Sequence, residues 1–314
     1  PNDVTFICIL KACGSIQAIE KGEQIHDEIV NRGLLEKNIM IGNALTDMYV
    51  KCGALGKAQQ VLHMLPVRDI VTWSTLISGY TQEGQAHEAL NCFIQMQKDG
   101  LSPNEVTFIS VLKACGSIGA IDKGKHIHKE IVGRGLLKEN MMLGNALVDM
   151  YVKCGELARA QQVVEELDVH NVVSWNALIA GYTQEEQGHK ALACFALMQR
   201  EGLAPNEVTF TCILNACGRM GAFNKGKKIH NEIVSKRLLN EDVVLGTALM
   251  DMYAKCGLVA KAQEVLEELP VRNVISWSTL IVGYTHNGQG HEALECFERM
   301  QREGLSPDPV AYVC

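Results

Sequence analysis

The sequence predicts an all-α fold, an α-solenoid superhelix of stacked helix-turn-helix hairpins, and three observations predict it. First, Pro1, Pro103, Pro205 and Pro307 stand 102 residues apart with similar text behind them: VTFICILKACG from Val4, VTFISVLKACG from Val106 and VTFTCILNACG from Val208. Second, the unit divides again, because VTFISVLKACG, MLGNALVDMYVKCG from Met142 and VVSWNALIAGYTQ from Val172 share one apolar frame followed by similar turns. Third, the apolar residues step by three and four, the period of a helix, and no segment reads as strand-rich. A lone hairpin cannot bury its apolar face, so neighbours must stack, with the first helices lining a concave groove.

Taken in order, each 102-residue unit holds a hairpin of 36 residues, one of 31 and one of 35. The long hairpins are expected at 3–38, 105–140 and 207–242, the short ones at 39–69, 141–171 and 243–273, and the 35-residue ones at 70–104, 172–206 and 274–308. In the last type, Trp175, Leu178, Ile179 and Tyr182 form one stripe. After Gln187-Gly188, a second stripe of Ala191, Cys194, Phe195 and Met198 follows, closed by Gly202 and Pro205. Residues 309–314 start a tenth hairpin and Pro1-Asn2 reads as the tail of a preceding one, so 1–314 is expected to be a single solenoid excerpted from a longer array.

Composition narrows the function. Hydrophobic residues make up 47% of 314, enough for a continuous core. No run of about 18 uncharged apolar residues suggests a membrane span, and Pro1-Asn2-Asp3 has no signal-peptide layout. A net charge of −7 has the wrong sign for a binder that works mainly by neutralising phosphates, but allows a reader of bases. The twelve cysteines fall in four columns (Cys13, Cys115, Cys217; Cys52, Cys154, Cys256; Cys92, Cys194, Cys296; Cys8, Cys212, Cys314), each repeating one packing environment, so they are expected reduced.

Catalysis is not expected. The H-x-E matches His26-Asp27-Glu28, His128-Lys129-Glu130 and His230-Asn231-Glu232 lack the P-C-x-x-C that a zinc deaminase requires. They recur in phase on a predicted second helix, as structural histidines would, and His87, His189 and His291 recur in the same manner. The glycines sit at hairpin turns rather than in a phosphate loop, and neither a metal site nor a cofactor or small-molecule site is expected.

Tetratricopeptide repeats are excluded by their fixed 34-residue period and by Ile77, which stands where their glycine belongs between Trp73 and Tyr80. LKACG with GKHIH (Leu112 to Gly116, Gly124 to His128), GNALVDMYVKCG (Gly144 to Gly155) and SWNALIAGYTQ with ALACFALMQREGLAPN (Ser174 to Gln184, Ala191 to Asn206) instead resemble the pentatricopeptide repeat proteins of land-plant organelles. The likeness is to the PLS subclass, with alternating long, short and 35-residue motifs, and the regular text also suits a designed or consensus array. In such repeats two or three side chains read one base of single-stranded RNA. The resemblance implies that the fifth and last residues of a motif face the base and the second packs against base faces.

On that register the reading pairs are Asn43 with Asp69, Ser74 with Asn104, Asn145 with Asn171, Asn176 with Asn206, Thr247 with Asn273, and Ser278 with Asp308. A last-position Asp, which only accepts, suits the ring N–H of guanine or uracil, whereas an Asn amide complements the acceptor and amino group of adenine or cytosine. A short Ser or Thr at the fifth position leaves room for a purine, and Asn reaches a pyrimidine. The pairs then read U, A, pyrimidine, pyrimidine, A and G along the chain. In the long motifs Ile7 with Asn38 and Ile109 with Asn140 cannot donate to a base, and only Thr211 with Asp242 suits guanine. The expected target is 5′-N-U-A-N-Y-Y-(G/N)-A-G-3′.

Met40, Val71, Met142, Val173, Val244 and Ile275 are expected between bases, or alternatively as filling of the hairpin interface. Lys51, Lys153 and Lys255 recur in phase as a phosphate stripe or as solvated charges. The resemblance further implies a target-recognition module for organellar C-to-U RNA editing in a chloroplast or mitochondrion. It also implies a partner of the MORF (multiple organellar RNA editing factor) or RIP type on the long motifs, although no transit peptide is legible here. The alternative is a protein-binding helical scaffold.

Overall fold

The computed structural model describes residues 1–137, 140–167, 170–240 and 242–307, and among them the regular structure is all helical. Two compact units divide the chain, Pro1–Val169 and His170–Cys314. The first contains α1 (Asp3–Ser15), α2 (Ile19–Asn31), α3 (Ile39–Lys51), α4 (Leu55–Met64), α5 (Ile70–Gln82), α6 (Ala86–Lys98), α7 (Glu105–Ser117), α8 (Ile121–Gly133), α9 (Met141–Lys153) and α10 (Leu157–Glu166). The second contains α11 (Val172–Gln184), α12 (Gly188–Arg200), α13 (Glu207–Arg219), α14 (Phe223–Ser235), α15 (Val243–Lys255), α16 (Val259–Glu268), α17 (Val274–His286) and α18 (Gly290–Arg302), with a 3₁₀ turn at Leu238–Asn240.

Odd-numbered helices open the hairpins and even-numbered ones close them. Within each unit every first helix packs on the next first helix, α1 on α3 on α5 on α7 on α9, and α11 on α13 on α15 on α17. A second helix packs against the first helix of its own hairpin and of the next, as α6 does with α5 and α7. Each unit therefore has an inner row of first helices and an outer row of second helices. All first helices have 13 residues, whereas α4, α10 and α16 have ten against 13 for the other second helices. Those short helices stop where Leu65, Leu167 and Leu269 turn to extended backbone.

The stripes read from the sequence are the core. Trp175, Leu178, Ile179, Tyr182, Ala191, Cys194, Phe195 and Met198 are all buried, as are Trp73, Tyr80, Trp277 and Tyr284 at equivalent places. Burying each large apolar side chain contributes about 1.5–3 kcal/mol. Close crossings use glycine. A Cβ on Gly218 would stand 3.1 Å from the Cα of Met252, and one on Gly14 or Gly116 3.3 Å from the Cα of Met48 or Met150. Turns within hairpins take the left-handed conformation, mostly at glycine such as Gly119 and Gly221, yet also at Gln17 (φ 54°) and Glu186 (φ 57°).

Candidate nucleic-acid interface

Along the inner row the second residue of each helix faces solvent. Met40 is 63% exposed, Val71 49%, Met142 68%, Val173 61%, Val244 67% and Ile275 61%, and Val4, Val106 and Val208 on the remaining first helices are exposed as well. The reading in which these side chains fill the hairpin interface is therefore corrected: they form a largely exposed apolar series along the first helices. In the second unit two adjoining clefts lie over this series. One, of about 350 Å³, is lined by Thr211, Val244, Thr247, Asn273 and Ile275; the other, of about 570 Å³, by Ile275, Ser278, Lys255 and His286. They share Asp251, Ile275 and Thr279, so second, fifth and last positions of successive hairpins line one depression.

Every last-position residue in the described chain is the N-cap of the next first helix. A carboxylate or amide oxygen accepts from the otherwise orphaned N–H groups of the first turn. Asn38 accepts from Met40 at 3.0 Å, Asp69 from Thr72 at 2.8 Å, Asn104 from Thr107 at 2.9 Å and Asn140 from Leu143 at 3.0 Å. Asn171 accepts from Val173 at 2.8 Å, Asn206 from Thr209 at 3.0 Å, Asp242 from Val244 at 2.8 Å and Asn273 from Ser276 at 2.9 Å. Asp308 lies outside the described residues.

The fifth-position residues divide by length. Asn43 donates its amide N–H to Asp69 Oδ2 at 2.9 Å, and Asn176 donates to Asn206 Oδ1 at 3.0 Å, so these expected pairs are in direct contact. Burial pushes the Asp69 carboxyl up, but hydrogen bonds from Asn43, from the Thr72 amide and hydroxyl and from the Val71 amide outweigh it and hold the group below its ordinary value. Ser74 and Ser278 are buried, and the Ser74 hydroxyl turns back to the Ile70 carbonyl. Thr247 likewise donates to the Val243 carbonyl at 2.8 Å. Asn145 is half-buried on α9 of the first unit. In α1 and α7 the fifth residues Ile7 and Ile109 offer no polar atom, and the amide of Asn38 donates instead to Asp3 at 2.8 Å.

Sequence reasoning missed the partners of the recurring lysines and the role of two threonines. Lys51, Lys153 and Lys255 are each paired one turn back, with Asp47 at 2.7 Å, Asp149 at 2.8 Å and Asp251 at 2.6 Å. The signal was legible as D-M-Y-x-K, an i,i+4 pair. The third residues of α5 and α13, Thr72 and Thr209, are fully buried and reach back to the fifth-position asparagines.

The H-x-E residues diverge as helix geometry requires. The Nδ1 atoms of His26, His128 and His230 hydrogen bond to the hydroxyls of Tyr49, Tyr151 and Tyr253 at 2.9, 2.9 and 2.7 Å, whereas Glu28, Glu130 and Glu232 pair with Arg32, Arg134 and Lys236 at the C-caps of their own helices. Burial lowers all three histidine pKa values. The eleven cysteines among the described residues are free thiols. No helix among the described residues is long and apolar enough to cross a membrane.

Comparison with known proteins agrees with this architecture. A model of the PPR repeat family matches residues 68–117, 170–236 and 272–314, just over half the chain, and a PPR repeat model matches 247–274. A chloroplastic pentatricopeptide repeat-containing protein of Arabidopsis thaliana is 37% identical over 99% of this chain and 50% of its own length. A mitochondrial one is 37% identical over 100% of this chain and 49% of its own. The chain thus spans about half the length of these relatives. Among solved structures, the pentatricopeptide repeat protein PPR10 of maize, in complex with an 18-nt psaJ RNA element, is similar in fold, with a TM-score of 0.78 and 23% identity, covering 99% of this chain and 47% of PPR10.

Proposed function

We propose that this chain, which belongs to the PPR repeat family, binds single-stranded RNA along the inner row of helices in each unit, one base per hairpin junction. The observation that carries the reading is the alternation along that row: an exposed apolar side chain at the second residue, followed by a polar pair or a capping amide beside it, as at Val71 with Asn43 and Asp69. Exposed valine, isoleucine and methionine suit the faces of bases, and the amide and carboxylate groups suit their edges. That PPR10 is described in complex with RNA supports the same reading.

The finer proposal is a target-recognition module of the PLS type for organellar C-to-U editing, strengthened by a MORF-type partner on the long motifs. Two of the relatives carry chloroplastic and mitochondrial names, which supports an organellar address. A protein scaffold is the second reading, favoured by the pairing of Lys51, Lys153 and Lys255 with aspartates, which engages the recurring lysines of the first helices with carboxylates of their own.

Equilibrium binding of the nine-nucleotide target against a copy with its A and G positions exchanged, at two salt concentrations, tests the proposal. Expected is discrimination on the order of tenfold or more, about 1.4 kcal/mol, with a shallow salt slope. Folded protein that binds neither RNA would sink the base-reading proposal and leave the scaffold.

A further inference from the structure

We propose that the buried hydroxyls of Thr72 and Thr209 are positioning groups that set base selectivity one hairpin upstream, by fixing which way round Asn43 and Asn176 present their amides. The inference rests on the RNA reading above and adds a third residue to it.

An asparagine amide is nearly symmetric in shape, so a half-turn exchanges donor for acceptor at the same place. Its neighbours decide between the two orientations. Asn43 gives one N–H to Asp69 Oδ2 at 2.9 Å, and its Oδ1 accepts from the Thr72 hydroxyl, which also lies 2.7 Å from Asp69 Oδ1. Asn176 gives one N–H to Asn206 Oδ1 at 3.0 Å, and its Oδ1 accepts from the Thr209 hydroxyl at 2.7 Å; that hydroxyl also lies 2.9 Å from Asn206 Oδ1 and accepts from the Asn206 backbone amide at 3.1 Å. Turned over, either asparagine would set its oxygen against an acceptor oxygen of the cap residue, and the hydroxyl would have to swing its proton from the asparagine to that cap residue, at 2.7 Å in Asp69 and 2.9 Å in Asn206. Thr72 and Thr209 are each 0% exposed, so water cannot replace the lost partner.

Each amide therefore keeps one further N–H as the group it can offer a base, a donor for a base carbonyl, which at the reach of an asparagine is that of a pyrimidine. A serine or threonine at the fifth position does not draw the following hydroxyl in this way. Thr107, equally buried, follows Ser74 and donates only to the cap residue Asn104 at 2.8 Å, because the short Ser74 side chain bonds its own helix. Ser276 follows Thr247 and donates to the Asn273 carbonyl at 2.9 Å. At Asn43 the Asp69 carboxylate by itself opposes the turned-over amide, whereas at Asn176 the partner is a neutral amide. Thr209 is therefore the stronger determinant of the two.

The test compares Thr209→Val, which keeps shape and loses the hydroxyl, with Thr209→Ser, which keeps the hydroxyl, and with Thr72→Val and Thr107→Val. Each variant, its helicity checked by circular dichroism, is titrated with RNA pairs differing by pyrimidine or purine at the single position of the hairpin in question. Thr209→Val should lower the pyrimidine preference at the Asn176 position roughly five- to tenfold, the worth of one buried hydrogen bond, and leave the other positions alone. Thr209→Ser should restore it, Thr72→Val should show a smaller loss at the Asn43 position, and Thr107→Val should leave selectivity at the Ser74 position unchanged.

An unaltered preference in folded Thr209→Val, or an equal loss in Thr107→Val, overturns the inference while the RNA reading stands. Wild-type protein that discriminates elsewhere but not at the asparagine positions also overturns the inference alone. Wild-type protein without any base preference overturns both.

Discussion

Replacing Asp99 with glutamate should stabilise the first unit, because it supplies a missing partner to the buried indole of Trp73. The three equivalent tryptophans make an internal experiment. Trp175 donates its Nε1–H to Glu201 and Trp277 to Glu303, each at 3.0 Å. At the corresponding place Asp99 is one methylene shorter, and the buried Nε1 of Trp73 has no hydrogen-bond partner. Asp99 instead pairs with Arg68 at 3.3 Å. Glu303 shows that one glutamate serves both groups, since its other oxygen accepts from Arg272 at 2.9 Å.

An unsatisfied buried donor costs about 1–3 kcal/mol, and ordering a longer side chain returns part of that as lost entropy, so the expected gain is about 1–2 kcal/mol. For a unit of this size each kcal/mol raises Tm by about 2–4 °C. Asp99→Glu and Asp99→Gln would be compared by thermal unfolding and by hydrogen exchange of the Trp73 indole proton, with Glu303→Asp as the reverse change at Trp277. Expected are a higher Tm and slower indole exchange in both Asp99 variants, and faster exchange at Trp277 in the reverse one. If Asp99→Glu leaves both readouts unmoved, an unsatisfied indole is not a weakness of this fold and the reasoning fails.

Acidification should also loosen the protein through its repeated histidines. Burial, the largest cause, depresses the pKa of His26, His128 and His230, against smaller upward effects from Asp27, Glu166 and Glu268 respectively. The unfolded chain therefore takes up protons that the folded chain refuses, and stability is lost as pH falls below the unfolded value of about 6.5. Tm measured from pH 7.5 to 5.5 should fall, and a variant with all three histidines changed to glutamine should fall less; equal slopes would refute the assignment. Among the glycines, Gly218→Ala places a Cβ 3.1 Å from the Met252 Cα, where backbone cannot step aside, and should destabilise by about 1–3 kcal/mol. Gly56→Ala, in α4 with nothing within 4 Å, should stabilise by about 0.5–1 kcal/mol through helix propensity. Urea unfolding of the two variants checks the opposite signs.

The hairpins were legible because their packing is local and repeated. Trp175, Leu178, Ile179 and Tyr182 are spaced by the helix period and are buried together, so period alone finds the core stripe. Which side of the first helix faces out was legible only through the family resemblance, since periodicity alone does not set the exposed Val71 and Val173 apart from the core. The His26–Tyr49 bond joins residues 23 apart on different hairpins, a contact that no local spacing announces. Lys51 could have been paired with Asp47 from the i,i+4 spacing, but recurrence by itself does not separate an ion pair from a free charge.

The caps at the hairpin junctions have a wider consequence. Every described side chain proposed to read a base from the last position also holds the first turn of the following helix, so its chemistry is chosen twice. Asparagine and aspartate satisfy both demands; an alanine there would forfeit about 1 kcal/mol of helix stability before any ligand is met. Target preference in such an array can thus be rewritten freely only within the small vocabulary of side chains that start helices well, and a change outside it is felt first as fraying of the neighbouring hairpin.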